Sequence, residues 1–184
     1  MLASCATGLK NNMPTVERLQ PRHAATYRAL MLSAYALHPE AFTSSAEERA
    51  ALPLAWWEKR LEETEDAAQV VFGITEGLAV LGVVGLTFSN RQRARHKVLL
   101  FGMYVVGEQQ GKGLGQALID AALSYARNRP QALVLQLTVS ENNGAARRLY
   151  EHNGFESFGL EPMAVATDAG FISKVHMWRR LREL

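Results

Sequence analysis

The stretch Val98-Leu99-Leu100-Phe101-Gly102-Met103-Tyr104-Val105-Val106, then Gly107-Glu108-Gln109-Gln110-Gly111-Lys112-Gly113-Leu114-Gly115, then Gln116 to Asn128, decides how this chain folds. The first part is a continuous apolar run of strand length. The second is polar and rich in glycine. The third spaces Leu118, Ala122 and Tyr125 with the preceding Leu114 so that they share one helical face. A strand, a glycine turn and a helix N-terminus make an anion site. The free N–H groups of the first turn point outward, and the aligned peptide dipoles add roughly half a positive charge there. Glycines let the backbone take positive φ and remove the Cβ atoms that would hold a phosphate away. The stretch reads as a pyrophosphate cradle; the plainer alternative is a turn that only connects a strand to a helix.

Spacing decides which cradle it is. A Walker A loop has four residues between its first glycine and the Gly-Lys pair, then a Ser or Thr for magnesium. Here three residues separate Gly107 from Gly111-Lys112, and Gly113 stands where the hydroxyl should be. The dinucleotide fingerprint also fails, since Gly111, Gly113 and Gly115 are spaced G-x-G-x-G. A P-loop nucleotide hydrolase is therefore disfavoured.

Gln110-Gly111-Lys112-Gly113-Leu114-Gly115 resembles the Q/R-x-x-G-x-G/A motif of the GNAT acyltransferases. Downstream, Asn143-Gly144-Ala145-Ala146-Arg147-Arg148-Leu149-Tyr150-Glu151-His152-Asn153-Gly154-Phe155 resembles the same family's N-x-x-A-x-x-L-Y-x-x-x-G-F segment. The resemblance is strong from Val98 to Leu160 and looser from Val16 onward. It implies an α/β (α+β) GNAT-type fold: a mixed, mostly antiparallel central sheet of about seven strands, a splayed parallel pair, and flanking helices. It implies acetyl-CoA as cosubstrate and a primary amine as acceptor, on a small molecule or on a protein N-terminus or lysine. It places pantetheine between the central strand and the next parallel strand, against the backbone of Met103, Tyr104 and Val105. The amides of Gln110, Gly111, Lys112, Gly113, Leu114 and Gly115 fall on the pyrophosphate. Asn143 falls on the pantetheine arm, Ala146 beside it, and Tyr150 faces the sulfur as general acid.

The remaining sequence fits one domain over residues 14–184, a usual size for a single core. The hydrophobic share is 48%, and no apolar run approaches membrane-spanning length. A net charge of +2 gives no argument for nucleic acid. The lone cysteine, Cys5, excludes an intramolecular disulfide framework and suits a reducing, cytoplasmic setting. Met1 to Met13 lacks the basic start of a signal peptide and reads as a disordered lead-in. Thr15 to Leu19 alternates as a short strand. Pro21 opens a helix to about Leu37, and His38-Pro39 ends it. Glu40 to Ala51 reads as a polar connection, either a loop over the acceptor site or a solvated linker, and the acceptor pocket is expected between the Pro39 to Ser45 loop, the helix around Trp56 or Trp57 and the final strands. Pro53 starts a second helix carrying Trp56, Trp57 and Leu61, with Glu62-Glu63 and Glu65-Asp66 at its end. Neighbouring tryptophans cannot both face one core, so one packs inward. Gln69 to Thr75 and Ala79 to Phe88 form a hairpin joined at Glu76-Gly77, with Gly82 and Gly85 marking a bulge or close approach. Arg91, Arg93 and Arg95 form a basic loop, either solvated or attracting a polyanionic cofactor. Ala132 to Val139 alternates, with Leu133, Leu135, Leu137 and Val139 on one face. A helix follows from Glu141 to Asn153, and Asn153-Gly154 stops it. Phe155 to Leu160 and Phe171 to Arg180 are the last strands.

Acyl transfer from a thioester needs aligned reactants, a neutral amine, a stabilised oxyanion and a proton for the leaving sulfur. Asn143, Ala146 and Tyr150 lie at helical spacing on one face. A tyrosine hydroxyl, neutral at physiological pH, can donate to a thiolate. The central strand, however, lacks the glutamate base that many relatives carry. Glu40, His96, Glu108 and His176 are the candidates, each more readily read as an exposed carboxylate or a structural histidine; His176 stands out, since Lys174-Val175-His176-Met177-Trp178 is a late strand able to reach the cleft. Lys112 can add an ammonium to the phosphates or simply be solvated, and Arg147 or Arg148 can approach the adenosine 3′-phosphate or form no more than a basic helix face. No metal ligand cluster is spaced for binding, and the mechanism requires none. The competing class is a non-catalytic acyl-CoA sensor or interaction module. An edge-strand homodimer is compatible with such a fold.

Overall fold

A computed structural model describes residues 15–64 and 67–183. The expected lead-in, Cys5 and the Glu65-Asp66 pair lie outside the described residues. The apolar run becomes strand β4 (Lys97–Val105), which sits at the middle of the sheet. Before it in the chain come β1 (Thr15–Arg18), the helices α1 (Ala24–Leu37), α2 (Ala46–Ala50) and α3 (Leu54–Lys59), and the strands β2 (Gln69–Glu76) and β3 (Ala79–Phe88). After it come α4 (Leu114–Arg127), β5 (Val134–Ser140), α5 (Gly144–His152), β6 (Glu156–Thr167) and β7 (Gly170–Arg180). Among the described residues seven strands run β1-β2-β3-β4-β5-β7-β6 across one sheet, and of these neighbours only β4 and β5 are parallel. This is the mixed, mostly antiparallel α/β architecture expected from the motifs.

Each face of the sheet carries its own core. Leu118, Ile119, Ala122 and Ala126 of α4 pack with Tyr150 of α5 against Leu86, Val98, Leu135 and Met177. On the other face, Tyr27 and Met31 of α1 and Trp57 of α3 cover Val71 and Val83. A strand covered on both sides reads as continuous apolar sequence, which is why β4 shows no clean alternation.

Several boundaries move for identifiable reasons. A 3-10 turn, Pro21–His23, precedes α1, and His38 before Pro39 leaves the helical region at φ −135°, ψ 57°. The expected polar connection contains α2. Its signal is a capping box: Glu48 N–H donates to Ser45 Oγ at 3.1 Å and Ser45 N–H to Glu48 Oε2 at 3.0 Å. With no buried residue in α2, hydrophobic periodicity could not reveal it. The next helix is shorter than expected, ending at Lys59 with Pro53 as its N-cap, so buried Leu61 and the Glu62-Glu63 run lie beyond it. Trp57 is the inward tryptophan, edge-on to Tyr27 at 5.4 Å, while Trp56 is half-buried.

The expected bulge falls on the opposite strand. Val83 pairs with Tyr104 and Gly85 with Phe101, so Val84 faces two β4 residues, Gly102 and Met103. Gly102 carries the positive φ, 61°. Gly85 instead admits an aromatic ring: a Cβ there would stand 2.3 Å from Phe101 Cζ. Helix α5 starts later than expected, with Asn143 as its N-cap, and Gly154 rather than Asn153 takes the left-handed conformation at its end. Strand β6 runs past the expected Leu160. Its register with β7 breaks between Glu161 and Val165, where Pro162 and Met163 (φ 55°) bulge out of an edge strand. Among the described residues no helix is long and apolar enough to cross a membrane.

Candidate active site

Strands β4 and β5 form a fork. They pair only through Lys97–Val134, Val98–Leu135 and Leu99–Gln136, then part. His96 closes the paired end, its carbonyl accepting from the N–H groups of Leu133 (2.9 Å) and Val134 (3.1 Å). The Gly102 bulge stands on the open side, where it turns the β4 backbone away from strict pairing with β3. Sequence reasoning missed this glycine, although a glycine inside an apolar strand is itself a signal.

A cleft of about 530 Å³ occupies the open side. Met103, Tyr104 and Val105 line it from β4; Gln110, Gly111 and Gly115 from the turn; Asn143, Ala146 and Tyr150 from the α5 segment. Lys112, Gly113 and Leu114 belong to the same turn but do not line the cleft; Leu114 packs on the core and Lys112 donates to Gln109 Oε1 at 3.0 Å. Gln110 anchors the turn to the strand end, its Nε2 donating to Val105 O at 3.0 Å. Gly111 (φ 75°) and Gly113 (φ 80°) take conformations that L side chains resist, with open space where a Cβ would point. Gly113 is the N-cap of α4, and no side chain caps it. The first main-chain bond into the helix runs from Ala117 N–H to Gly113 O, which leaves the N–H groups of Leu114, Gly115 and Gln116 without a main-chain partner among the described residues. These donors and the helix dipole suit a diphosphate. Gly115 also permits close packing: a Cβ there would stand 3.2 Å from Leu149 Cδ2.

Tyr150 is buried, and its hydroxyl lies 3.6 Å from the Met103 sulfur, so its contact spans α5 and the β4 bulge. Burial raises its pKa above the ordinary tyrosine value and keeps the phenol protonated. The Asn143 Oδ1 is engaged as a cap, accepting from Ala146 N–H at 3.1 Å.

The four candidate bases separate by position. Glu40 lines the cleft and pairs with His38 at 3.6 Å. The His38 ring sits 5.8 Å from that of Tyr104. His96 is at the closed end of the fork, and Glu108 is exposed on a 3-10 turn. His176 is engaged with Glu161 at 2.9 Å and does not line the cleft. Arg147 pairs with Glu151 at 3.5 Å, and Arg148 is exposed.

A second chamber of about 260 Å³ adjoins the cleft, sharing Met103, Ser140, Asn143, Ala146 and Tyr150 with it. Arg49, Arg60 and Lys174 line its far side. Sequence reasoning passed over all three, since they come from α2, the end of α3 and β7 and share no local pattern.

Residues 31–155, more than half of the chain, match the Acetyltransferase (GNAT) family. A mycothiol acetyltransferase from Renibacterium salmoninarum is 28% identical over 162 residues, covering 86% of this chain and 45% of that protein. The chain spans less than half the length of the curated relatives it matches. The acetyltransferase of GNAT family from Streptococcus pneumoniae superposes with a TM-score of 0.81 at 24% identity, over 91% of this chain and 98% of that one. The yncA protein of Salmonella typhimurium, solved with its cofactor acetyl-CoA, superposes with a TM-score of 0.76 at 23% identity, over 93% and 95%. With its forked sheet, uncapped glycine turn and matching sequence, the chain belongs to the GNAT acetyltransferase family.

Proposed function

We propose that the protein transfers an acetyl group from acetyl-CoA to a primary amine by direct attack in a ternary complex. The observation that carries this reading is the fork: a parallel ladder that stops at Leu99–Gln136 and opens onto a cleft holding both the glycine turn and the Tyr150 hydroxyl. Acetyl-CoA, when bound, supplies the activated thioester. The backbone of Met103, Tyr104 and Val105 offers the pantetheine arm an unpaired strand edge, and we assign a main-chain N–H of this bulged segment to the thioester oxygen. The turn from Gln110 to Gly115, Lys112 and Gly113 included, holds the diphosphate through main-chain amides. Asn143 binds the arm through its Nδ2, because its Oδ1 is engaged as the helix cap. Ala146, one turn before Tyr150, keeps the helix face narrow there. Tyr150 holds a proton at Oη for the departing sulfur; its present partner, a thioether, is a weak acceptor that a thiolate displaces readily. Glu40, paired with His38, is the group we assign to taking the proton from the amine.

The yncA neighbour, solved with acetyl-CoA, and the relative named as a mycothiol acetyltransferase support the cosubstrate and the acetyl transfer. The acceptor class extends to small amines and to protein N-termini or lysines, and the lone Cys5 suits the cytoplasm. Calorimetry with coenzyme A and thiol release from acetyl-CoA with an amine panel test the reading together. Heat and thiol release are expected; folded protein giving neither overturns it. One observation favours a second reading, an acyl-CoA-binding module without turnover: β4 carries no carboxylate. Heat without thiol release for any amine would select it.

A further inference from the structure

The chamber beyond Tyr150 collects cations. Arg49, Arg60 and Lys174 line it, and among the described residues none of those lining it is Asp or Glu. Among the described residues none of the three forms an ion pair within salt-bridge distance. Their contacts are neutral. Arg49 Nη2 donates to Ser44 Oγ at 2.7 Å, and Lys174 Nζ to Thr43 Oγ1 at 2.8 Å. The guanidiniums of Arg49 and Arg60 lie over the Trp56 ring, 4.8 and 4.6 Å from its centroid. The Nε atoms of Arg49 and Arg60 are buried with no partner among the described residues.

That arrangement is costly without a ligand. Lys174 is only 8% exposed, and burial lowers its pKa, Glu161 opposing the shift. The two guanidiniums leave hydrogen-bonding capacity unused at their Nε atoms. A planar guanidinium is the group best matched to a carboxylate, which it grips through two parallel N–H bonds. A volume of about 260 Å³ suits a molecule the size of an amino acid rather than the surface of a folded protein.

We propose that this chamber is the acceptor pocket and that the amine acetylated is a small amino acid-like molecule whose carboxylate is held by Arg49, Arg60 and Lys174. The inference rests on the acyl transfer proposed above. The amine nitrogen bonds to the acetyl carbon and loses one proton to the Glu40 carboxylate. The carbon–sulfur bond breaks, and the sulfur leaves with a proton from Tyr150; Glu40 then gives its proton to solvent and the Tyr150 phenolate regains one from it. The carboxylate changes no bond; it fixes the amine beside the thioester.

Two measurements test it. In the first, thiol release from acetyl-CoA is compared for amino acids and their α-carboxamides, with rates taken per neutral amine because the amide also lowers the amine's own pKa. The acids should be preferred by at least about ten-fold in kcat/KM, and Arg49→Gln or Lys174→Met should bring that ratio towards one, mostly through KM. Equal use of acids and amides overturns the inference while leaving acyl transfer standing. The second needs no turnover. Acetate titrated against chloride at fixed ionic strength should change tryptophan fluorescence saturably through Trp56, and Arg49→Gln should weaken that binding by about ten-fold. Saturable binding without thiol release keeps the pocket and removes the activity. A linear response, or one that Arg49→Gln and Lys174→Met leave intact, removes the pocket.

Discussion

The Tyr150 hydroxyl donates to the Met103 sulfur across 3.6 Å, joining the last turn of α5 to the bulged part of β4. A thioether is a weak acceptor, so this contact contributes little to folding. Tyr150→Phe should therefore cost less than about 1 kcal/mol of stability. Turnover should fall by about 10²- to 10⁴-fold, the range for losing a general acid. Coenzyme A affinity by calorimetry should stay within about two-fold, since the lost interaction matters only as the sulfur departs. Unchanged turnover would remove the acid role.

Gly102 separates bulge geometry from bulk. A Cβ there meets only Met31 Cε, at 3.9 Å, so Gly102→Ala is penalised by its φ of 61° and not by a clash. The expected loss is about 1–2 kcal/mol in chemical denaturation. If the protein relieves the strain by flattening the bulge, acetyl transfer falls further than stability does. Gly107→Ala is the control: it adds a Cβ with no neighbour within 4 Å and no positive φ. Equal activity in the two variants would show that the bulge has no part in the chemistry.

The sequence carried what is local. The glycine turn and Tyr150 were legible because each sits in a short segment whose spacing reflects one backbone shape. The parallel pair followed from a strand, a helix and another strand in succession. What escaped depends on partners far away in the chain. Gly102 looks like any glycine in an apolar run until β3 is laid beside it. Helix α2 has no buried face and is marked only by Ser45 and Glu48. The strand expected to stop at Leu160 runs on through Pro162, which an edge strand tolerates. Arg49, Arg60 and Lys174 meet in space only because α2, α3 and β7 do, and no spacing encodes that meeting.

Buried tyrosines should also set the alkaline limit of stability. Burial pushes Tyr27 up to about 12, with Arg60 pulling weakly the other way, and burial likewise raises Tyr150. In the unfolded chain both ionise near pH 10. The folded protein keeps these protons longer, so their contribution is intact below pH 10 and drains as pH rises from there through the folded values. Each should steepen the fall in unfolding free energy by up to about 1.4 kcal/mol per pH unit. Urea unfolding at pH values from about 8 to 11, compared between wild type and Tyr27→Phe, isolates the first term. Identical slopes would mean that Tyr27 ionises as freely folded as unfolded.

Asn153 and Gln116 exchange amide hydrogen bonds, Gln116 Nε2 to Asn153 Oδ1 at 2.8 Å and Asn153 Nδ2 to Gln116 Oε1 at 2.9 Å. The pair ties the first turn of α4, which forms the proposed phosphate site, to the end of α5, which carries Tyr150. Asn153 is 8% exposed and its side chain also donates to Leu149 O at 2.8 Å; its main-chain carbonyl, which substitution of the side chain leaves in place, accepts from the Arg179 guanidinium. Gln116 has a second outlet, Asp120 Oδ1 at 2.9 Å. Losing Asn153 should therefore hurt more than losing Gln116: about 2 kcal/mol for Asn153→Ala against about 1 kcal/mol for Gln116→Ala. Because both changes break the same bonds, the double variant should lose about 1 kcal/mol less than the sum. Denaturant midpoints of the four proteins in the cycle give that coupling. Coenzyme A affinity should weaken in Asn153→Ala, because α4 is then free to shift against α5. Strictly additive losses with full affinity would show that the two helix ends are positioned by core packing alone.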